Sequence, residues 1–347
     1  MNHQNDRILC MKRWQFWLGL AVSVIFLFFA FRGLDLQETL SAISSAEMIW
    51  ILPAIPLYFS GLWLRAYRWK IFLRPISPTR TRQLFPIVAI GYMGNNIYPA
   101  RLGEVIRAVI LKQEEEIPVS ASLATIIIER IFDGIVMLGF ILLNISAINL
   151  MTHNNEIQET IDAVAVWGSG IFLTAFFIFL VFAFFPGKAL PLLDGLVTKL
   201  LPVKIAGVAT EIIRKFFSGI QSLSSPLHVA NAMLITIVIW LIETAFYWII
   251  MQAFSFNIGF GTLMLLNGFL NLFTIIPSSP GYIGTFDAPG IALLTALGIE
   301  ANNAAGYTLL LHAALWLPVT LLGSYFFIKK GISWDEAINQ AKVSEKP

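Results

Sequence analysis

The sequence predicts an all-α polytopic membrane protein, with about six full transmembrane helices and two re-entrant helical hairpins arranged as an inverted repeat. Three observations carry that expectation. Of 347 residues, 57% are hydrophobic and only 13% charged, and the mean hydropathy is +0.75, whereas a soluble domain carries about a quarter charged residues. Several apolar runs approach the ~20 residues with which a helix crosses a bilayer. Two further apolar stretches are too short to cross and are broken by Gly, Pro and Asn. Alternating strands of the membrane-barrel kind are not found in the sequence.

The first run, Trp14 to Phe31, follows Arg7, Lys12 and Arg13 and reads as an uncleaved anchor, with Met11 as an alternative start to Met1. Arg32 to Glu47 reads as a polar, acidic loop. A second span, about Met48 to Tyr67, ends in Arg65, Arg68, Lys70, Arg74, Arg80 and Arg82. By the positive-inside rule this cluster is cytoplasmic, and the N-terminus with it. Leu84 to Tyr98 and Val105 to Leu111 are short pieces that form a hairpin dipping in and returning, which requires its bent backbone to be covered by protein or to line a cavity.

A third span runs from Val119 to Leu150. His153 to Asp162 has no Lys or Arg and suits an outside loop, and Ala163 to Phe185 is a fourth span. Gly187 to Leu223 carries Leu193, Leu196 and Leu200 at helical spacing between basic residues, as interfacial cytoplasmic helices do. The fifth span is Val229 to Phe254. Gly261 to Ile276 and Ala288 to Leu297 form a second hairpin, and the last span, Ala304 to Ile328, ends inside at Lys329 and Lys330 before a short cytoplasmic tail, 329–347. The expectation is thus one membrane domain, 1–347, with repeats at about 14–150 and 163–328. It lies in the cell (cytoplasmic or inner) membrane with both termini cytoplasmic. Residue detail supports the repeat: Asn96, Pro99, Gly103 and Glu104 are echoed by Asn271, Pro277, Gly284 and Asp287, and Thr125 to Glu129 by Thr308 to His312.

Several function classes are disfavoured. A single cysteine, Cys10, precludes an internal disulfide or a thiol metal site. The four histidines, His3, His153, His228 and His312, are scattered, so no metal and no cofactor are expected, and no nucleophile–base pair suggests an enzyme. The net charge is +2, and the basic clusters flank spans, which leaves nucleic-acid binding without support.

The strings NIYPARLGEVIRA, IIERIFD and IIPSSPGYIGTFD resemble the lysylphosphatidylglycerol synthase transmembrane region family, a flippase-like membrane domain. Its pattern is roughly N-x-x-P-x-R-x-G-E-x-x-R, then E-R-x-x-D, then P-x-x-P-G-x-x-G-x-x-E. Asp287 stands where the family usually has Glu, His312 where Arg is common, and the soluble synthase domain is not expected. The resemblance implies a flippase for a phosphate-containing lipid, whether phospholipid, modified phospholipid or lipid-linked precursor. A membrane lipid is therefore the expected partner, with a separate lipid-modifying enzyme as a second.

Arg101, Arg107 and Arg130 are candidates for the lipid phosphate, because guanidinium keeps its charge when buried and grips phosphate with two parallel hydrogen bonds. The competing reading is that they snorkel to the interface, as Arg65 and Arg68 are expected to do. Glu104 lies three residues from Arg107, and Glu129 four from Asp133, so each pair shares a helix face. They form either a structural charge network or, with Asp287 and His312, a gate. Glu243 is another polar residue of the second half. Asn96, Pro99, Gly103, Asn271, Pro277, Pro280, Gly281 and Gly284 break helices. Trp63 and Trp69 read as interface belts. Two rival functions stay open: a proton-coupled transporter of a small anion, with Asp287 and His312 as the relay, and an intramembrane lipid-modifying transferase.

Overall fold

The computed structural model describes residues 13–98, 101–151, 186–200, 226–276 and 278–331, together with the helical positions 170, 174, 177, 181, 206, 207 and 210. All regular structure among them is helical. The protein is an all-α polytopic membrane protein. Helices Met48–Leu73, Leu227–Met251 and Ala301–Lys329 are each long and apolar enough to cross a bilayer. Pro99, Pro277, the expected outside loop 153–162, most of the expected fourth span and of the interfacial segment, and nearly all of the tail lie outside the described residues.

α1 (Arg13–Phe31) meets α2 (Leu36–Ser45) at a bend of 84°. α2 corrects the expectation of a loop at 32–47. Its signal was Asp35, whose side chain caps the backbone N–H groups of Gln37 and Glu38, ahead of Leu36, Leu40 and Ile43 at helical spacing. Asn302 fastens this turn to the last helix by accepting from Thr39 and donating to Glu38.

α3 (Ile51–Leu73) packs along α8 (Pro226–Met251), while α7 (Pro186–Leu200) falls in the segment expected at the interface. α4 (Thr81–Ile97) and α5 (Leu102–Glu115) are the arms of the first hairpin, and α6 (Val119–Met151) follows it. α6 has 33 residues, about 50 Å at 1.5 Å per residue. The second hairpin consists of α9 (Phe260–Phe273), a tight turn at Pro280–Tyr282 and α10 (Asp287–Ala296). α11 (Ala301–Lys329) closes the bundle, and Lys330 just beyond it pairs with Glu114 of α5.

Glycine allows the arms of the first hairpin to touch. A Cβ at Gly103 would lie 1.8 Å from the carbonyl oxygen of Gly91 and 2.6 Å from the amide nitrogen of Asn95.

The hairpins are exchanged between the halves. α4 makes its most extensive contacts with α11, and α9 makes its own with α6. Both seams rest on one missing side chain: a Cβ at Gly323 would meet the Ala89 carbonyl at 2.5 Å, and one at Gly268 the Met137 carbonyl at 2.6 Å. In each case one arm of a hairpin packs on a long helix from the other half of the chain. Ile87, Ile90, Leu266, Leu270, Tyr247 and Tyr307 fill the shared core around the α3–α8 pair.

Candidate functional site

Breaks in the helices bring the two hairpin tips together. α4 ends where the Tyr98 N–H donates to the Gly94 carbonyl at 2.8 Å. α5 then begins from Arg101, which is held in the left-handed region at φ 55°, a conformation costing a non-glycine residue roughly 1–2 kcal/mol. In the other tip Gly281 and Gly284 take φ of 72° and 86°, which suits glycine. Asp287 accepts from the Gly284 N–H at 2.8 Å.

Arg101 donates to the Thr274 carbonyl at 3.2 Å and lies over the Tyr282 ring. Asn96 donates to Thr320 Oγ1 at 2.8 Å and to the Trp316 carbonyl, and its own carbonyl abuts Gly281. Asn271 sits two residues before α9 ends, bonded to Asn267 and Glu243. Pro280 starts the tight turn.

Between the tips and α3, α6, α8 and α11 lies a cavity of about 490 Å³. Arg65, Arg101, Arg107 and Arg130 reach its wall, as do Glu104, Asp133, Glu243 and His312, among rings that include Tyr92, Trp240, Tyr282 and Trp316. The expected phosphate-binding and gating residues are thus collected here, with Glu129 and Asp287 directly behind them. They do not all stand alike. Arg107 is 4% exposed; it bonds Glu129 at 2.6 Å and stacks over Trp69 at 3.9 Å. Arg101 and Arg130 are about a quarter and a third exposed and share Glu104 at 3.8 and 3.7 Å. Arg130 also reaches Asp133 at 3.3 Å.

Behind the wall the ion pairs are tight. Arg65 meets Glu243 at 2.6 Å and Arg68 meets Asp133 at 2.6 Å. The Trp240 indole N–H also donates to Asp133, at 2.9 Å. These positions correct the expectation that Arg65 and Arg68 snorkel to the interface: they are 6% and 0% exposed. Trp69 is likewise no interface belt, being fully buried with its indole N–H on Thr125. The sequence did hold a signal for these partners. Glu243 in the middle of an apolar run requires a cation, because a lone charge at that depth is expensive.

The whole network sets five guanidiniums (Arg65, Arg68, Arg101, Arg107, Arg130) against four carboxylates (Glu104, Glu129, Asp133, Glu243). Among the described residues one positive charge is left over, and it falls on the loosely held pair Arg101 and Arg130. The Nε of Arg130, the Nε of Arg107 and one oxygen of Glu104 are buried without a hydrogen bond. Polar atoms of this kind at a cavity wall are met by water or by a ligand.

Apart from this network, His312 stands between two acceptors: Nδ1 is 2.7 Å from Asp287 and Nε2 is 2.8 Å from the Gly281 carbonyl. Among the described residues no three His, Cys, Asp or Glu side chains converge as a metal site requires. The arrangement leaves two partly exposed guanidiniums, Arg101 and Arg130, facing the cavity where the two hairpin tips meet.

The family described as lysylphosphatidylglycerol synthase TM region matches residues 16–323. Glycosyltransferase AglD of Haloferax volcanii is 21% identical over 327 residues, covering 88% of this chain; the chain spans 52% of AglD. A UPF0104 membrane protein of Methanothermobacter thermautotrophicus is 24% identical over 82% of this chain and 87% of its own length. UPF0104 membrane protein PH1989 of Pyrococcus horikoshii is 24% identical over 90% and 95%. No solved structure matches. On the extent of that family match, the chain belongs to the lysylphosphatidylglycerol synthase TM region family.

Proposed function

We propose that this protein moves a phosphate-containing lipid between the leaflets of the cell membrane, with both termini on the cytoplasmic side. The headgroup enters the cavity between the hairpin tips while the acyl chains stay in lipid. The observation that carries this reading is the uncompensated guanidinium shared by Arg101 and Arg130, where the two hairpin tips meet. Broken helices around a polar midpoint are a recurring transporter design, because the freed backbone and the bend give the site two ways to open. Family membership is in keeping with it. The glycosyltransferase name of AglD is in keeping with a sugar-bearing lipid as one cargo, and we propose an enzyme that modifies the cargo as the separate partner.

The His312–Asp287 pair favours a second reading, proton-coupled transport of a small anion through the same cavity. One experiment separates the two. The protein is reconstituted in liposomes, and transfer of labelled phospholipids with several headgroups is followed between leaflets, beside uptake of small anions under a pH gradient. Lipid transfer faster than in empty liposomes, lost in the Arg101→Gln/Arg130→Gln variant, is expected. Transfer at the empty-liposome rate for every headgroup overturns the reading, and gradient-driven uptake alone puts the second in its place.

A further inference from the structure

The charge of the cavity narrows the cargo. We infer that the site takes a headgroup with one net negative charge, a phosphodiester, in preference to a diphosphate or to an aminoacylated headgroup that is net cationic. This rests on the cavity being the headgroup site.

The network leaves a surplus of one guanidinium, and His312 does not change that total. Nε2 faces a carbonyl and donates to it, and a proton lies between Nδ1 and the Asp287 carboxyl; on whichever side of that contact the proton sits, the pair is neutral overall. A phosphodiester neutralises the surplus. A diphosphate overshoots it, and a cation adds to it. In a partly buried site such mismatches weigh more than in solution.

The pairing of the carboxylates points the same way. Asp133 is taken by Arg68 and the Trp240 N–H, Glu243 by Arg65, and Asp287 by His312 and the Gly284 N–H. An ammonium group entering the cavity meets one carboxylate without a close partner among the described residues, Glu104, and there it stands beside the guanidiniums of Arg101 and Arg130. The anion, in contrast, has a place. Arg101 and Arg130 hold Glu104 at 3.8 and 3.7 Å, against 2.6 Å for the Arg65, Arg68 and Arg107 pairs. The two non-bridging oxygens of a phosphodiester supply each of them with the close, charge-assisted bond that Glu104 does not give. At about 490 Å³ the cavity has room for a glycerol- or sugar-sized headgroup.

The test is equilibrium binding to the purified full chain in uncharged detergent, read as ligand-dependent thermal stabilisation. The probes are dihexanoylphosphatidylglycerol, its lysyl ester, farnesyl diphosphate and the water-soluble glycerophosphoglycerol. The phosphodiester lipid is expected to bind about tenfold tighter than the lysyl ester and the diphosphate. Glu104→Gln, which raises the surplus to two, is expected to turn the preference toward farnesyl diphosphate by about the same factor. Equal affinities, tightest binding of the lysyl ester, no binding of the phosphodiester, or an unaltered preference in Glu104→Gln overturns the inference. Leaflet transfer is measured separately. Selective binding without transfer upholds the charge preference and removes the translocation reading. Glycerophosphoglycerol binding as tightly as its lipid does the same, since it makes the cargo a free phosphodiester.

Discussion

The guanidinium of Arg101 bonds the backbone carbonyl of Thr274, so the tip of one hairpin holds the tip of the other. The two residues are 173 positions apart in the chain and belong to opposite halves. On the proposed function, a phosphate bound at Arg101 would compete for the same donors and so couple arrival of a headgroup to release of the tips.

Arg101→Gln is therefore expected to slow lipid transfer at least about tenfold, the loss of one charge-assisted contact. The side chain is a quarter exposed, and its removal leaves no buried charge stranded. The unfolding temperature in detergent should consequently move little. Transfer at the wild-type rate would place the headgroup elsewhere.

Arg107 and Glu129 should behave in the opposite way. Glu129→Gln leaves Arg107 buried over Trp69 without its carboxylate, at a cost of about 3–5 kcal/mol. Replacing both with Met should recover much of that loss, because the desolvation of both charges goes with them. Thermal unfolding of the two singles and the double decides this. Full additivity would mean that the pair is not coupled.

Gly103→Ala should prevent the first hairpin from closing. The added methyl falls 1.8 Å from the Gly91 carbonyl, so the arms must part, and overpacking of this kind costs about 1–3 kcal/mol or more. Gly139→Ala, where nothing lies within 4 Å, is the matched control. It should stabilise by up to about 1 kcal/mol through helix propensity alone. Folded yield by fluorescence-detected size exclusion reports both.

Asp287→Ala should loosen the second tip. It strands the Gly284 N–H and one ring nitrogen of His312, and a buried donor left without a partner costs about 1–3 kcal/mol. Faster hydrogen exchange at Gly284 to Phe286, with α4 and α11 unaffected, is the expected pattern. Unchanged exchange at those amides would show that the turn is held by other contacts.

Length and hydropathy were enough to read the class of fold, because a bilayer imposes both on any helix that crosses it. The hairpins were legible too, since Gly, Pro and Asn interrupt apolar runs at Gly91 to Gly103 and Pro277 to Gly284. Short polar segments were less so. Arg32 to Glu47 looked like a loop because its acidic content outweighed the capping pattern of Asp35, and its helix is held in place by Asn302 from the far end of the chain. The site was half visible for a related reason. Arg101, Arg107 and Arg130 stand beside helix breaks that draw attention. Arg65 and Arg68 stand at the basic end of a span, where topology explains them equally well. Their partners Glu243 and Asp133 are 178 and 65 residues away, and only the pairing of α3 with α8 and α6 brings them into reach.

The exchanged hairpins also govern how the protein is made. Ser324 of α11 reaches Met93 of α4 across 231 positions, and Gly323 beside it closes on the Ala89 backbone. At roughly 5–20 residues per second, a ribosome needs on the order of 10–50 seconds to supply the partner that α4 lacks. During that interval the newly inserted first half holds its arginines with an unfinished wall. Until the last helix emerges, the surface of α4 that packs on α11 has no protein partner.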